Sequence, residues 1–298
     1  MKSNIISKVF WSIFIALIFA GLFLFFRITD TDWLMFSKTT NITTSTEYVH
    51  ETVSVPEPVC IEVRLLKQSD EEQIISTTEN LDVFLQESEH KHIVAIDPGH
   101  QAKGNFEKEP IGPGATTLKN KTSAGTYGRT TGVMEYVLTL EVALQLKEEL
   151  IARGYEVFMT RETHDVNLSN AQRATMASES GAEIFIRIHA DGSDSPYAKG
   201  MTAVCPTAKN PFCPEIYEDS RALSDALLSN LLLSTDTDKG KVWETDTMSG
   251  INWSKIPVSI IEMGFMTNKE EDLLMQTKEY QQKLVEGFAN GIDAYFDR

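Results

Sequence analysis

The pattern of apolar and polar residues divides the chain into three stretches. An unbroken apolar run of eighteen residues, VFWSIFIALIFAGLFLFF, extends from Val9 to Phe26. Residues 27–91 are rich in Thr, Ser and Glu and lack glycine. From His92 onward, short apolar runs alternate with longer segments whose apolar residues recur about every four positions. These patterns predict an apolar segment, a polar connecting segment and a folded domain.

The third stretch has the pattern of alternating strands and helices. The runs HIVAID, YEVFMT, EIFIRIHA, GMTAVC and VSIIEMGF are typical of buried strands. Val133–Arg153 predicts an amphipathic helix, in which these residues recur every four positions: Leu138, Val142, Leu146, Leu150. Further helices are predicted over NLSNAQRATMASESGA, over residues 214–234 and twice near the C-terminus. The alternation indicates a single α/β domain with a largely parallel sheet, flanked by helices on both faces.

Two polar stretches lack such a pattern. Residues 101–131 are rich in Gly, Lys and Thr, and we expect a long loop that is mobile or lies across a substrate groove. Within residues 27–91, CIEVRLL is compatible with a strand and TTENLDVFLQESEH with a short helix. Neither has enough apolar partners to be stable alone, so this stretch is predicted to be a stalk or linker.

The first apolar run is long enough to cross a membrane. Eighteen helical residues rise about 27 Å, which just spans the hydrocarbon core of a bilayer. Lys2 and Lys8 precede the run, whereas the positive charge of Arg27 is soon offset by two aspartates. The positive-inside tendency therefore predicts a cytoplasmic N-terminus and an extracytoplasmic domain on a single-pass transmembrane helix. A cleaved signal peptide, which would give a secreted protein, is the alternative; the run's length and the lack of a small-residue cleavage site favour the anchor.

The predicted organisation has four parts. Residues 1–8 are predicted to be cytoplasmic, residues 9–26 to form the transmembrane anchor, residues 27–91 the extracytoplasmic stalk, and residues 92–298 the folded domain.

Charge and cysteine content restrict the class of protein. The formal net charge is −16, and no basic stripe is present, which argues against nucleic acid as a partner. The three cysteines form no C-x-x-C pair, so a thiolate zinc site is not expected. Cys205 and Cys213 bracket a short loop with two prolines, which leaves open a disulfide in an oxidising compartment or two free thiols.

Four residues stand where open α/β sheets place their chemistry. His100 follows the strand HIVAID, His189 closes EIFIRIHA, and Glu262 lies late in VSIIEMGF, each near a strand's carboxyl end. Glu135 lies in the first turn of the predicted Val133–Arg153 helix. A lone histidine is more often structural, and Glu135 alone would be a favourable N-terminal carboxylate. An ionisable Glu262 inside an apolar strand is costly unless paired or used.

Together these residues are compatible with a metal-dependent hydrolase. Two histidines and one carboxylate form a known catalytic zinc set that leaves one coordination position for water. A further carboxylate beside that water would serve as the base. No H-E-x-x-H spacing is present, so the residues alone do not select zinc.

Four sequence blocks carry a specific resemblance. IVAIDPGH, GVMEYVLTLEVALQLKEELIARGYEVFMTR, LSNAQRATMASESGAEIFIRIHAD and IPVSIIEMGFMTN follow one another between about residues 92 and 294. In that order they resemble the zinc-dependent N-acetylmuramoyl-L-alanine amidases with the type 3 catalytic domain. The resemblance implies a mixed sheet of about six strands, Zn²⁺ bound by His100, Glu135 and His189, and Glu262 as the catalytic residue. It implies peptidoglycan as substrate, cut at the amide between N-acetylmuramic acid and L-alanine.

Two other functions use the same residues or the same fold. A zinc peptidase acting on peptidoglycan stem peptides would differ in substrate fit alone. A catalytically silent wall-binding regulator is disfavoured because none of the four residues is lost. Arg173, on the second predicted helix, is expected to form a salt bridge between helix and sheet. The sequence does not identify a protein activator.

Overall fold

The computed structural model describes residues 91–298 and two short segments, Thr52–Ser54 and Cys60–Glu62. These segments are strands β1 and β2, which pair antiparallel, and β2 lies within the CIEVRLL run that was compatible with a strand. The apolar run at residues 9–26 and the segment TTENLDVFLQESEH lie outside the described residues, so the anchor and that helix stay predictions. Within the described residues, none of the helices is long and apolar enough to cross a membrane.

Six strands form the central sheet of residues 91–298. They are β3 (Ile93–Pro98), β6 (Glu156–Met159), β7 (Ile184–Asp191), β8 (Met201–Cys205), β9 (Gly240–Glu244) and β10 (Val258–Phe265), in the order β6-β3-β7-β10-β8-β9. The neighbouring strands β6, β3, β7 and β10 are mutually parallel, while β8 pairs antiparallel with β10 and parallel with β9. The prediction of a mixed, largely parallel sheet of about six strands is confirmed. Strand β9 was not predicted, because it is a short and mostly exposed edge strand without an apolar run.

Helices connect and cover these strands. They are α1 (Glu135–Ala152), α2 (Asn170–Glu179), α3 (Tyr217–Thr235), α4 (Ser249–Asn252), α5 (Lys269–Met275) and α6 (Lys278–Phe296), with a 3₁₀ turn at Pro214–Ile216. Helix α2 lies within the predicted segment NLSNAQRATMASESGA and begins at a capping box, in which the Ser169 side chain accepts a hydrogen bond from the Gln172 backbone N–H and the Gln172 side chain accepts one from that of Ser169. The short helix α4 was not predicted.

The sheet is buried on both faces, as parallel strands usually are. One face packs against α1, α3 and α6 in a core that includes these residues: Val94, Ile96, Leu146, Ile186, Leu227, Ile261, Phe288. The other face packs against α2 and α4 in a second core that includes these: Ala95, Ala174, Ala177, Phe185, Val204, Ile251, Ile260. Side chains alternate along a strand, so consecutive residues of one strand point into opposite cores.

The long polar loop predicted over residues 101–131 contains two strands that were not predicted. Strand β4 (Asn105–Pro110) pairs antiparallel with β5 (Leu118–Thr122) to form a separate hairpin. Both strands are mainly polar and exposed, so they have no alternating apolar face from which a strand can be predicted.

Candidate metal centre and catalytic groove

Strand alternation places His189 and Glu262 on the same face of the sheet. Glu262 on β10 is paired in register with His189 on β7. Their preceding neighbours Ile188 and Ile261 both belong to the core on the opposite face. The two functional side chains therefore lie side by side at the carboxyl ends of adjacent parallel strands, where α/β sheets carry their sites.

His100 is presented by a tight turn after β3. Its backbone has a φ of 61°, the left-handed conformation that residues other than glycine rarely adopt. Gly99 allows the ring of His189 to pack against this turn, because a Cβ there would lie 2.4 Å from Cε1 of His189. Nδ1 of His100 lies 3.1 Å from both the carbonyl oxygen and Oγ of Ser123, so Ser123 holds the imidazole in place.

Glu135, the first residue of α1, lies between the two imidazoles. Its Oε1 is 3.1 Å from Nε2 of His100 and 3.1 Å from Nδ1 of His189. Its Oε2 accepts a hydrogen bond from the backbone N–H of Thr126 at 2.8 Å. Gly125 makes this approach possible, since a Cβ there would lie 2.7 Å from Oε2 of Glu135.

The arrangement fits a divalent cation by two criteria. One ligand atom from each of His100, Glu135 and His189 lies within 4.8 Å of the others. Ligands of a tetrahedral zinc ion with bonds of about 2.0–2.1 Å are about 3.3 Å apart, close to the 3.1 Å that separates Oε1 of Glu135 from a ring nitrogen of each histidine.

The protonation states favour the same set. Burial lowers the pKa of His189 to about 4, which keeps its imidazole neutral as a ligand must be. Burial alone would raise the pKa of Glu135, but hydrogen bonds with His100 and His189 outweigh it and lower that pKa below its ordinary value. The neutral imidazole of His189 and the anionic carboxylate of Glu135 therefore lie together at this point.

Glu262 lies beside this centre and is held differently. Its carboxylate takes part in none of the side-chain hydrogen bonds within residues 91–298, and it lines two grooves. Burial, and after it the negative charges of Glu135 and Asp191, raises the pKa of Glu262 well above its ordinary value. An unpaired carboxylate of this kind is suited to accept and release a proton.

Two grooves meet at His100, His189 and Glu262. We call the first, of 540 Å³, the acidic groove; it is also lined by Arg129, Glu135, Asp191 and Asp194. We call the second, of 520 Å³, the basic groove; it is also lined by Lys108, Lys119, Asn120, Arg187 and Gly250. The β4–β5 hairpin supplies the first three of these, so part of the stretch at residues 101–131 does lie along a groove.

A buried ion-pair network supports the turn that carries His100. Asp97 accepts from Nη1 of Arg173 at 2.7 Å and from Nε of Arg187 at 2.8 Å. Arg173 on α2 thus forms the expected salt bridge between helix and sheet. Its Nη2 also donates to the carbonyl oxygen of His100 at 3.0 Å, which ties the network to the site.

Sequence reasoning missed Arg187 as a residue of this region. The signal was available, because a charged residue inside the apolar run EIFIRIHA is as unusual as Glu262 inside VSIIEMGF. Its partner Asp97 is ninety positions away, so no local pattern reveals the pair.

The two cysteines of the described domain are both buried and both free thiols. Burial raises the pKa of Cys205 to about 11 and that of Cys213 to about 12. Of the two alternatives left open by the sequence, the structure has the free thiols, and these are poor nucleophiles.

Comparison with known proteins agrees with this geometry. Residues 94–294 match the family described as N-acetylmuramoyl-L-alanine amidase. Similar proteins include AmiA of Salmonella typhimurium, an N-acetylmuramoyl-L-alanine amidase that is 25% identical over 242 residues, 69% of this chain and 76% of the relative. Another is the uncharacterized protein YqiI of Bacillus subtilis, 29% identical over 56% of this chain and 77% of the relative.

A solved structure shares the fold. The amidase Ami1 of Mycobacterium smegmatis superposes with a TM-score of 0.62 at 24% identity, covering 69% of this chain and 97% of that one. The family match spans more than half of the chain and includes all four site residues. The chain therefore belongs to the N-acetylmuramoyl-L-alanine amidase family, whose members are hydrolases that are generally zinc-dependent.

Proposed function

We propose that this protein is a zinc-dependent amidase that hydrolyses the bond between N-acetylmuramic acid and L-alanine in peptidoglycan. The observation that carries the proposal is the convergence of His100, Glu135 and His189 on one point, with the unpaired carboxylate of Glu262 beside it. Family membership indicates peptidoglycan as the substrate, and the arrangement of the four residues indicates metal-assisted hydrolysis as the reaction.

His100, Glu135 and His189 would hold the zinc ion. When bound, zinc supplies the Lewis acidity that activates a water molecule and polarises the scissile carbonyl. The Ser123 carbonyl orients His100, and the backbone N–H groups of Thr126 and Ala190 orient Glu135. These contacts fix the ligands before the ion arrives, as supporting hydrogen bonds do in other metal sites.

Glu262 carries the proton through the reaction. Its carboxylate accepts the proton of the attacking water, because it has no competing hydrogen-bond partner in the described domain. It then delivers this proton to the nitrogen of L-alanine as the C–N bond breaks, leaving a carboxylate on the lactyl group. The raised pKa of Glu262 favours the protonated form between these two steps.

We further propose that residues 9–26 anchor the enzyme in the cell membrane, with residues 92–298 outside, where peptidoglycan lies. The eighteen-residue apolar run and the lysines before it support this topology. Residues 27–91 then serve as the stalk between membrane and catalytic domain, and residues 1–8 lie in the cytoplasm.

The amidase proposal is tested by the new amino termini that appear when purified peptidoglycan is digested. Full-length protein loaded with zinc should release L-alanine amino termini. Chelation should abolish the release, and zinc should restore it. New amino termini from other stem-peptide residues would contradict the proposal and favour a zinc peptidase.

A further inference from the structure

The two grooves that meet at Glu262 carry opposite charge. Besides Glu262, the acidic groove has three carboxylates and a single cation, Arg129, among the described residues that line it. The basic groove has three cations, Lys108, Lys119 and Arg187, and among its described lining residues Glu262 is the sole carboxylate. In a chain with a net charge of −16, three cations around one groove are a notable local concentration. A substrate bound across Glu262 therefore meets different electrostatic environments on its two sides.

Arg187 is a buried cation that is only partly neutralised. Its Nε donates to Asp97 and its Nη2 donates to the side chain of Asn170 at 2.9 Å. Asp97 also binds Arg173, so one carboxylate serves two guanidinium groups. Nη1 of Arg187 has no acceptor within the described part of the chain and lies against Gly250 in the groove wall, where a Cβ would come within 1.5 Å of it. The positive charge of Arg187 is therefore directed to the basic groove and available to an anion.

The β4–β5 hairpin supplies the other two cations that line this groove. Nζ of Lys108 donates to the Asn120 side chain at 2.7 Å, and Nζ of Lys119 donates to the backbone carbonyl of Thr247 at 2.5 Å. Within residues 91–298, neither lysine forms an ion pair. Both lysines are bonded to neutral oxygen atoms, so their charge remains available to a ligand. The contact with Thr247 also ties the hairpin to the segment that leads into α4.

We propose that the basic groove is a subsite for a carboxylate of the substrate's peptide, bound by Lys108, Lys119 and Arg187. This rests on the proposed function, in which the scissile amide lies at Glu262. On one side of that amide is the glycan, which is uncharged. On the other side, the residue after L-alanine bears either a free carboxylate or, where it is amidated, a carboxamide. The peptide therefore occupies the basic groove, the glycan occupies the acidic groove, and the enzyme prefers the free carboxylate.

The preference is measured with two synthetic muramoyl peptides that differ only in a carboxylate or a carboxamide on the residue after L-alanine. Zinc-loaded full-length protein should cleave the carboxylate form with a kcat/KM about ten-fold higher, because charge-assisted hydrogen bonds are stronger than neutral ones. The difference should lie mainly in KM and should decrease as salt concentration rises.

Variants of the hairpin test whether its lysines cause the preference for the carboxylate substrate. The double variant Lys108→Gln and Lys119→Gln should reduce the preference to about two-fold, since exposed charge contacts contribute modestly one by one. The matched control is Lys121→Gln on the same hairpin, whose amine pairs with Glu107 at 2.6 Å and does not line the groove. The control should keep the wild-type preference. Thermal unfolding of each variant checks that the hairpin change has not destabilised the domain.

The outcomes separate the subsite from the amidase reaction. Equal kcat/KM values for the two substrates, or an unchanged preference in the double variant, would overturn the subsite and leave the amidase function standing. If neither synthetic substrate is cleaved and digested peptidoglycan shows no new L-alanine amino termini, the proposed function is overturned, and the subsite with it.

Discussion

Glu262 on β10 lies in register beside His189 on β7, so a carboxylate without a hydrogen-bond partner in the described domain sits next to a histidine of the proposed metal site. The two residues are 73 positions apart in the sequence, and only the parallel pairing of their strands brings them together. This relationship separates two roles, metal binding and proton transfer, and each is open to test.

The first prediction concerns proton transfer. Glu262→Gln keeps the shape of the side chain but cannot accept a proton, so hydrolysis should fall by at least about 10²-fold. Bound zinc, measured by elemental analysis, should remain at the wild-type level. Glu286→Gln, an exposed change on α6, serves as the control and should leave both quantities unchanged. Loss of zinc from Glu262→Gln would mean that Glu262 is a ligand and not the base.

The second prediction concerns the metal. The full-length protein should purify with about one zinc per chain, and His189→Ala should lose it because one of three protein ligands is removed. His164→Ala removes an exposed histidine outside the site and should keep the zinc. Full zinc content in a double His100→Ala, His189→Ala variant would refute the ligand assignment.

The third prediction concerns acid stability and uses metal-free protein, so that zinc loss does not contribute. Burial alone would raise the pKa of Asp97, but Arg173 and Arg187 lower it far below its ordinary value of 3.8. A carboxylate with a lowered folded-state pKa stabilises the folded state fully above the unfolded-state pKa. This contribution decreases as pH falls below about 4, where the unfolded chain binds the proton first.

Asp97→Asn should therefore lower the free energy of unfolding by about 3–5 kcal/mol at pH 7, since it breaks a buried ion pair. The difference from wild type in urea unfolding should shrink between about pH 4 and pH 2. The control Asp225→Asn removes an exposed pair with Arg221 and should cost at most about 1 kcal/mol. A difference for Asp97→Asn that stays constant down to pH 2 would show that the carboxylate's charge is not what stabilises the turn.

The fourth prediction concerns topology. If residues 9–26 are an uncleaved anchor, the full-length protein should fractionate with membranes. Protease added to spheroplasts should then release a soluble catalytic domain by cutting within residues 27–91. A soluble mature protein that starts near residue 28 would identify the apolar run as a signal peptide. A domain protected until the membrane is lysed would contradict an extracytoplasmic location.

Much of the fold was predictable because its signals are local. The four-residue spacing from Leu138 to Leu150 predicts α1 without reference to any other element, and Ser169 and Gln172 mark the start of α2. The positions of the candidate site residues relative to the strands were also predictable. Each of His100, His189 and Glu262 ends or nearly ends an apolar run, where parallel strands place their chemistry.

What could not be predicted depends on contacts distant in sequence. The β4–β5 hairpin is polar and exposed, and its position is fixed partly by Lys119 reaching Thr247 across 128 residues. Arg187 stands out in the sequence as a charged residue within an apolar run, but its ion pair with Asp97 on the neighbouring strand could not be predicted. Electrostatic pairs between residues distant in sequence produce no periodic pattern along the chain, so the charge of the two grooves became evident only from the structure.

The central claim is tested most directly by following the oxygen of the attacking water. Peptidoglycan fragments are digested by zinc-loaded full-length protein in water enriched in heavy oxygen, and both products are analysed by mass spectrometry. The account predicts that the heavy oxygen enters the lactyl carboxyl group of N-acetylmuramic acid and that the released peptide, which begins with an unlabelled L-alanine amine, takes up none. Heavy oxygen in a carboxyl group of the peptide, with the lactyl amide intact, would contradict the account.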